Sequence, residues 1–137
     1  MTDAKSFTPL VILSWTCQIA AAAILFQTLF FKFTGAAESI YIFETVGMEP
    51  FGRYLSGVAE LIAGVLLLIP RLSWAGAALA ISVMLGAIAS HLTVLGIVVL
   101  DDGGLLFVLA VTVTVCSSIV LWLRRASVAQ LLSRFRN

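Results

Sequence analysis

Long apolar runs separated by short polar breaks organise the chain. The first run goes from Leu10 to Phe31 and follows Thr8 and Pro9, which read as an N-cap and a proline at the first helical position. The second, from about Tyr54 to Ile69, stops at Pro70 and Arg71 and contains one carboxylate, Glu60. The third goes from about Trp74 to Leu100 and contains one imidazole, His91; the fourth, Leu105 to Leu123, follows a turn at Asp101, Asp102, Gly103 and Gly104. About 20 apolar residues cross a hydrocarbon core of about 30 Å, so these runs predict transmembrane helices.

A secretory leader competes for the first run, because Lys5 precedes it and Ala20 to Ala23 offer small residues for cleavage. The apolar stretch continues well past those alanines, which favours a retained helix. Between the second and third runs Pro70, Arg71, Leu72 and Ser73 leave room only for a tight turn, so these helices are expected to be antiparallel neighbours. The predicted fold is an all-α integral membrane four-helix bundle, a single membrane domain over residues 1–137 with spans at 10–31, 54–69, 74–100 and 105–123.

Two further segments are amphipathic. From Thr34 to Gly52 the chain is too polar to span, yet Ile40, Tyr41, Phe43 and Val46 recur at helical intervals, which predicts a short helix or lid at the outer face, ended by Gly47 and Pro50. Over residues 125–136, Val128, Leu131, Leu132 and Phe135 alternate with basic positions, as in a helix lying on an anionic lipid surface.

Four spans put both termini on one side. Lys5, Arg71, Arg124, Arg125, Arg134 and Arg136 gather there, against Lys32 and Arg53 at the opposite ends, so positive-residue bias predicts N-in and C-in, with cytoplasmic termini.

Composition agrees with lipid as the solvent. The chain is 61% hydrophobic and 11% charged, where a soluble domain has about 25% charged residues, and its mean hydropathy is +1.13. Net charge is +1, and nothing supports nucleic-acid binding. Cys17 and Cys116 lie inside apolar runs without CxxC spacing, so they suggest neither a disulfide framework nor a zinc site. Their similar depths make contact geometrically feasible.

An ionisable side chain within a span is costly, by roughly 2.5 to 3.5 kcal/mol on insertion scales, and is a functional candidate for that reason. Glu60 lies roughly 12 Å below the outer end of the second helix at 1.5 Å per residue, and His91 lies at a similar depth in its antiparallel neighbour. Lys32 closes the first helix at the same side and can reach inward or snorkel outward. The expectation is a ligand-binding or proton-handling cluster of Lys32, Glu60 and His91, with Arg53 and Gln27 beside it. The alternative is a buried Lys32–Glu60 pair, with His91 beside it, that only fixes helix register.

Ala78, Ser82, Gly86 and Ser90 make a stripe of small residues on the third helix, allowing close approach of another helix or leaving space for a ligand. One histidine and one membrane carboxylate are too few for a mononuclear metal site, and no nucleophile elbow, phosphate loop or metalloprotease signature occurs.

Three stretches, Phe30-Phe31-Lys32-Phe33-Thr34-Gly35, Gly57-Val58-Ala59-Glu60-Leu61-Ile62-Ala63-Gly64 and Met84-Leu85-Gly86-Ala87-Ile88-Ala89-Ser90-His91, in this order and spacing, resemble the DoxX family of small four-helix membrane proteins. The likeness covers roughly residues 15–123. It implies a bacterial or archaeal inner-membrane protein, related to membrane subunits of thiosulfate:quinone oxidoreductase and to membrane partners of thiol-redox and detoxification proteins, whose lysine, glutamate and histidine positions correspond to Lys32, Glu60 and His91. The leading expectation is a membrane subunit of a redox or oxidative-stress complex that contacts a quinone or another small molecule, with membrane lipids and a protein partner or homo-oligomer around it. A non-enzymatic scaffold or assembly factor and an oligomeric small-molecule or proton carrier are the alternatives.

Overall fold

The computed structural model describes residues 8–136 and is helical throughout, with no strand among the described residues. Six α-helices follow one another: α1 (Pro9–Thr34), α2 (Ala37–Val46), α3 (Phe51–Leu68), α4 (Ser73–Ser90), α5 (Leu105–Leu123) and α6 (Arg125–Arg136). A five-residue π-helical turn, His91–Leu95, continues α4. Four helices are long and apolar enough to cross a membrane, α1, α3, α4 with its π-turn, and α5. They pack in the cyclic order α1, α3, α4, α5, with α5 closing back onto α1.

The helix ends follow from local chemistry. Thr8 Oγ1 accepts from the Val11 amide, Pro9 occupies the first helical position, and Gly35, at φ 68°, closes α1 in a left-handed conformation that only glycine adopts without cost. Gly47, at φ 80°, ends α2 in the same way. The third span stops at Leu95, short of the expected Leu100. Gly96 takes φ 78° there, and Leu100 and Asp101 also have positive φ, so the backbone turns back before Val99 and Leu100 can extend the helix.

The core is built from small residues. Ala21, Ala22, Leu25, Ala63, Leu67, Ala77, Ala80, Val113 and Val120 are almost fully buried, while Phe30, Phe51, Leu92 and Trp122 point outward. Against lipid tails there is little hydrophobic gain in helix association, and close van der Waals fit takes its place. The α3/α4 turn shows that fit. A Cβ on Gly76 would stand 2.5 Å from the Leu67 amide nitrogen and 2.8 Å from the Ala63 carbonyl oxygen, so the two backbones touch. On α3, Gly64 receives the Phe26 ring of α1 and Gly57 receives Phe33.

The small stripe of α4 serves another purpose. Ser82 and Gly86 are exposed, and nothing approaches Gly86 within 4 Å; the contact face is Ser73, Gly76, Ala77, Ala80 and Met84 instead.

The buried polar groups are matched to backbone atoms that the helix ends leave unpaired. Gln18, fully buried on α1, donates from Nε2 to the Leu67 carbonyl at 2.6 Å and accepts from Ser14 Oγ at 2.7 Å. Leu67 lies in the last turn of α3, where carbonyls have no intrahelical partner. Ser117 Oγ on α5 has no partner and is sealed off.

Gly76→Ala is therefore expected to lower thermal stability in detergent by about 1–3 kcal/mol through overpacking against backbone. Gly86→Ala should be neutral or stabilising. Equal melting temperatures for the two variants would contradict the backbone contact of α3 with α4 at Gly76.

Candidate functional site

Thr28 and Lys32 stand one helical turn apart on α1, so both point at the same neighbour. That neighbour is Glu60 of α3. Lys32 Nζ forms an ion pair with Oε1, and Thr28 Oγ1 donates to Oε2 at 2.9 Å. Each carboxylate oxygen thus holds one donor, and the Glu60 side chain is only 3% exposed, that of Lys32 15%. The Phe43 ring of α2 lies 5.9 Å from Lys32 Nζ, close enough for a cation–π contact. α2 presents Glu38, Ser39, Ile42, Phe43 and Val46 towards the bundle and covers it as a lid.

Below that lid is a cavity of about 610 Å³. All four spans line it: Gln27, Thr28 and Lys32 from α1, Ala59 and Glu60 from α3, Ser82, Gly86 and Ser90 from α4, and Leu105, Leu109 and Ala110 from α5. Ligand sites of about 300–1,000 Å³, mostly apolar with a few placed polar groups, are the ordinary form of small-molecule pockets. His91 lies in the same wall, 5% exposed.

The histidine does not bond to Glu60. Its Nδ1 lies 2.8 Å from the Gly96 carbonyl oxygen, across the π-turn, and its ring meets Phe107 edge-on at 5.6 Å between centroids. The π-turn and Gly96, at φ 78° and ψ 171°, bring that carbonyl back to the ring. Helical interruptions of this kind are frequent at functional sites.

Asp102 fixes the next segment. Its carboxylate accepts from the amides of Val99 at 3.0 Å, Gly104 at 2.8 Å and Leu106 at 3.1 Å, which closes the turn and caps the start of α5. Burial acts to raise the Asp102 pKa, but the three amide bonds, with a smaller contribution from His91, outweigh it and hold the carboxyl below its ordinary range.

Of the five residues singled out from the sequence, Lys32, Glu60, His91 and Gln27 line the cavity. Arg53 does not. It is 4% exposed and lies along Glu49, with Nε at 2.9 and 3.0 Å from the two carboxylate oxygens, while Nη1 donates to the Lys32 carbonyl. Arg53 is therefore a clamp between the end of α1 and the start of α3. Gln27 makes no side-chain hydrogen bond among the described residues and sits at an exposed position.

Sequence reasoning missed Thr28, Gln18 and Asp102. The spacing of Thr28 to Lys32 was the available signal for the first; for Asp102 it was an acidic residue followed by two glycines before an apolar run. Cys17 and Cys116 are neighbours across the α1/α5 contact in the half of the bundle away from α2.

A model of the DoxX family matches residues 17–94, a stretch that includes Lys32, Glu60 and His91. No curated protein and no solved structure matches the chain.

Two outcomes follow. Lys32→Met leaves Glu60 buried without its counter-charge and is expected to cost about 3–5 kcal/mol, whereas Lys32→Met combined with Glu60→Leu should recover most of the loss; a double-mutant thermal-melting cycle reads the pair directly. Asp102→Ala should lower stability by about 1–2 kcal/mol, as loss of a helix cap does. Because the folded pKa of Asp102 is depressed, its contribution is present above the ordinary carboxylate range and is lost as pH falls through the lowered value. An acid-melting curve should therefore be flatter in Asp102→Asn than in wild type.

Proposed function

The chain belongs to the DoxX family and is a multi-pass membrane protein, and from that premise we propose that it is the membrane subunit of a redox or oxidative-stress assembly. Its lidded cavity receives the headgroup of a quinone-type small molecule. The observation that carries the reading is the cavity itself, about 610 Å³ of mainly apolar space with an ion pair and a buried imidazole set into its walls.

The residues present fit a quinone-type group. Apolar side chains such as Leu105, Leu109 and Ala110 suit a ring and the start of an isoprenoid tail, and Lys32, Glu60 and His91 supply the polar contacts. Such a group would supply reduction chemistry that takes up protons together with electrons. The protein's part is to place a carboxylate and an imidazole where protons are exchanged. Electrons come from a partner protein in this reading.

The termini are on the cytoplasmic side. Lys32 and Arg53, the basic residues at the α2 end, are both engaged by carboxylates within the fold. Arg71, Arg124, Arg125, Arg134 and Arg136 stand at the other end, so the uncompensated positive charge concentrates there. α6 then lies on the inner leaflet, with Leu132 and Phe135 exposed for lipid and its arginines for phosphate. Lys5, counted on the same side, lies outside the described residues.

A scaffold reading rests on Ser82 and Gly86, exposed on α4 where another helix could approach. The two are separated by mass spectrometry of small molecules retained by the detergent-purified protein. Wild type is expected to keep a quinone or related lipid that both Glu60→Gln and His91→Ala lose. Identical retention in all three proteins would leave Glu60 and His91 as a structural polar cluster and give the scaffold reading the lead.

A further inference from the structure

The hydrogen bonding of His91 specifies what the cavity offers a ligand. Nδ1 faces the carbonyl oxygen of Gly96 at 2.8 Å, and a carbonyl oxygen can only accept. Nδ1 therefore carries the proton. In the neutral ring Nε2 is then an acceptor, and which nitrogen holds the proton is set by the bond the other one makes.

Among the described residues Nε2 has no protein partner, nor is it one of the polar atoms sealed off without one. The side chain lines the cavity, so Nε2 is the atom left for a ligand. Its aim is fixed from two sides, by the bond to Gly96 across the π-turn and by the edge-on Phe107 ring.

Glu60 adds a second acceptor. A carboxylate has about four lone-pair positions, and Thr28 and Lys32 occupy one on each oxygen. Lys32, the one Lys or Arg among the described residues that line the cavity, pairs with Glu60.

We infer that the cavity selects the hydroxylic form of an apolar ring, a phenol or hydroquinone whose O–H donates to His91 Nε2, over the ether of the same ring. This rests on the proposed binding of a ring headgroup and adds its specificity. His91 acts as a binding residue, and no electron transfer is implied by the contact.

The test uses redox-inert probes, 4-heptylphenol and its methyl ether 4-heptylanisole, which share ring and tail but differ in the donor. Equilibrium dialysis against the full-length protein in nanodiscs is expected to give about tenfold tighter binding of the phenol, the usual worth of one such hydrogen bond in a dry site. In His91→Phe, which keeps an aromatic ring without an acceptor, both probes should bind with equal affinity. Equal affinities in wild type, or an undiminished preference in His91→Phe, overturn the inference while leaving the cavity reading standing. Binding of neither probe to wild type removes the cavity reading and this inference with it.

A second measurement needs no variant. The chain has a single histidine, so a sample labelled with ¹⁵N-histidine reports this ring alone. Nδ1 is expected to be protonated and Nε2 bare, with the Nε2 resonance moving on addition of the phenol and not of the ether. A ring protonated on Nε2 and bare on Nδ1, or one indifferent to the phenol, would overturn the assignment.

Discussion

Everything at the α2 end of this bundle depends on keeping one carboxylate charged, or at least hydrogen-bonded, inside an apolar span. Glu60 sits 2% exposed in the middle of α3, and a lone charge there would cost several kcal/mol. α1 supplies the remedy from two positions one turn apart, so the register of α1 against α3 is set by where Thr28 and Lys32 meet the carboxylate. Gly57 and Gly64 allow that register, since each receives an aromatic ring of α1 in the space a side chain would otherwise fill. The ion pair and the glycines describe a single contact.

The same demand recurs at the helix ends. Within a membrane a backbone carbonyl without a partner is as unwelcome as a charge, and loops at that depth are tolerated only where their polar groups are satisfied by protein. Gln18 takes the Leu67 carbonyl, Arg53 takes that of Lys32, and His91 takes that of Gly96. Three side chains that look polar and out of place in the sequence thus answer three carbonyls left over where helices stop. This explains why Arg53 is not among the residues that line the cavity. Its guanidinium bonds to Glu49 and to the end of α1, and the lid α2 lies between the two elements so joined.

Much of the fold could be read in advance because hydropathy is a strong signal when lipid is the solvent. The apolar runs from Leu10, Tyr54, Trp74 and Leu105 each became a helix, and the tight turn at Pro70 made α3 and α4 neighbours. The end of the third span was misjudged for a definite reason. Val98, Val99 and Leu100 are as apolar as any helical stretch, and only the backbone at Gly96, closed by a hydrogen bond to the imidazole, shows that the helix has ended. The stripe of small residues on α4 was read first as a packing face and also as space for a ligand, and packing is decided by which face meets a partner. Gly76, outside that stripe, makes the contact, and Gly86 borders the cavity. Glu60 and His91, expected at similar depths, line one cavity. Spacing along the helices carries no information on rotation about their axes, so a cluster of Lys32, Glu60 and His91 was expected where Lys32 and Glu60 bond to each other and His91 bonds to Gly96.

That separation bears on whether the polar residues serve register or a ligand. A pair meant only to lock helices needs contact and nothing more, and Lys32 with Glu60 would satisfy it in a fully packed interior. Here the pair borders about 610 Å³ that the side chains leave unfilled, in a protein whose opposite half is packed until backbones touch at Gly76. Loose packing in one half and close packing in the other cannot follow from a shortage of large residues, because Leu85 and Leu92 are available and point outward. Register also gives no reason for His91, whose bond to Gly96 organises the π-turn yet leaves one ring nitrogen without a partner in a side chain that lines the cavity. A carboxylate and an imidazole bordering one cavity, each bonded to its own neighbours and each with capacity to spare, are the arrangement expected where the missing partner is a molecule rather than another residue.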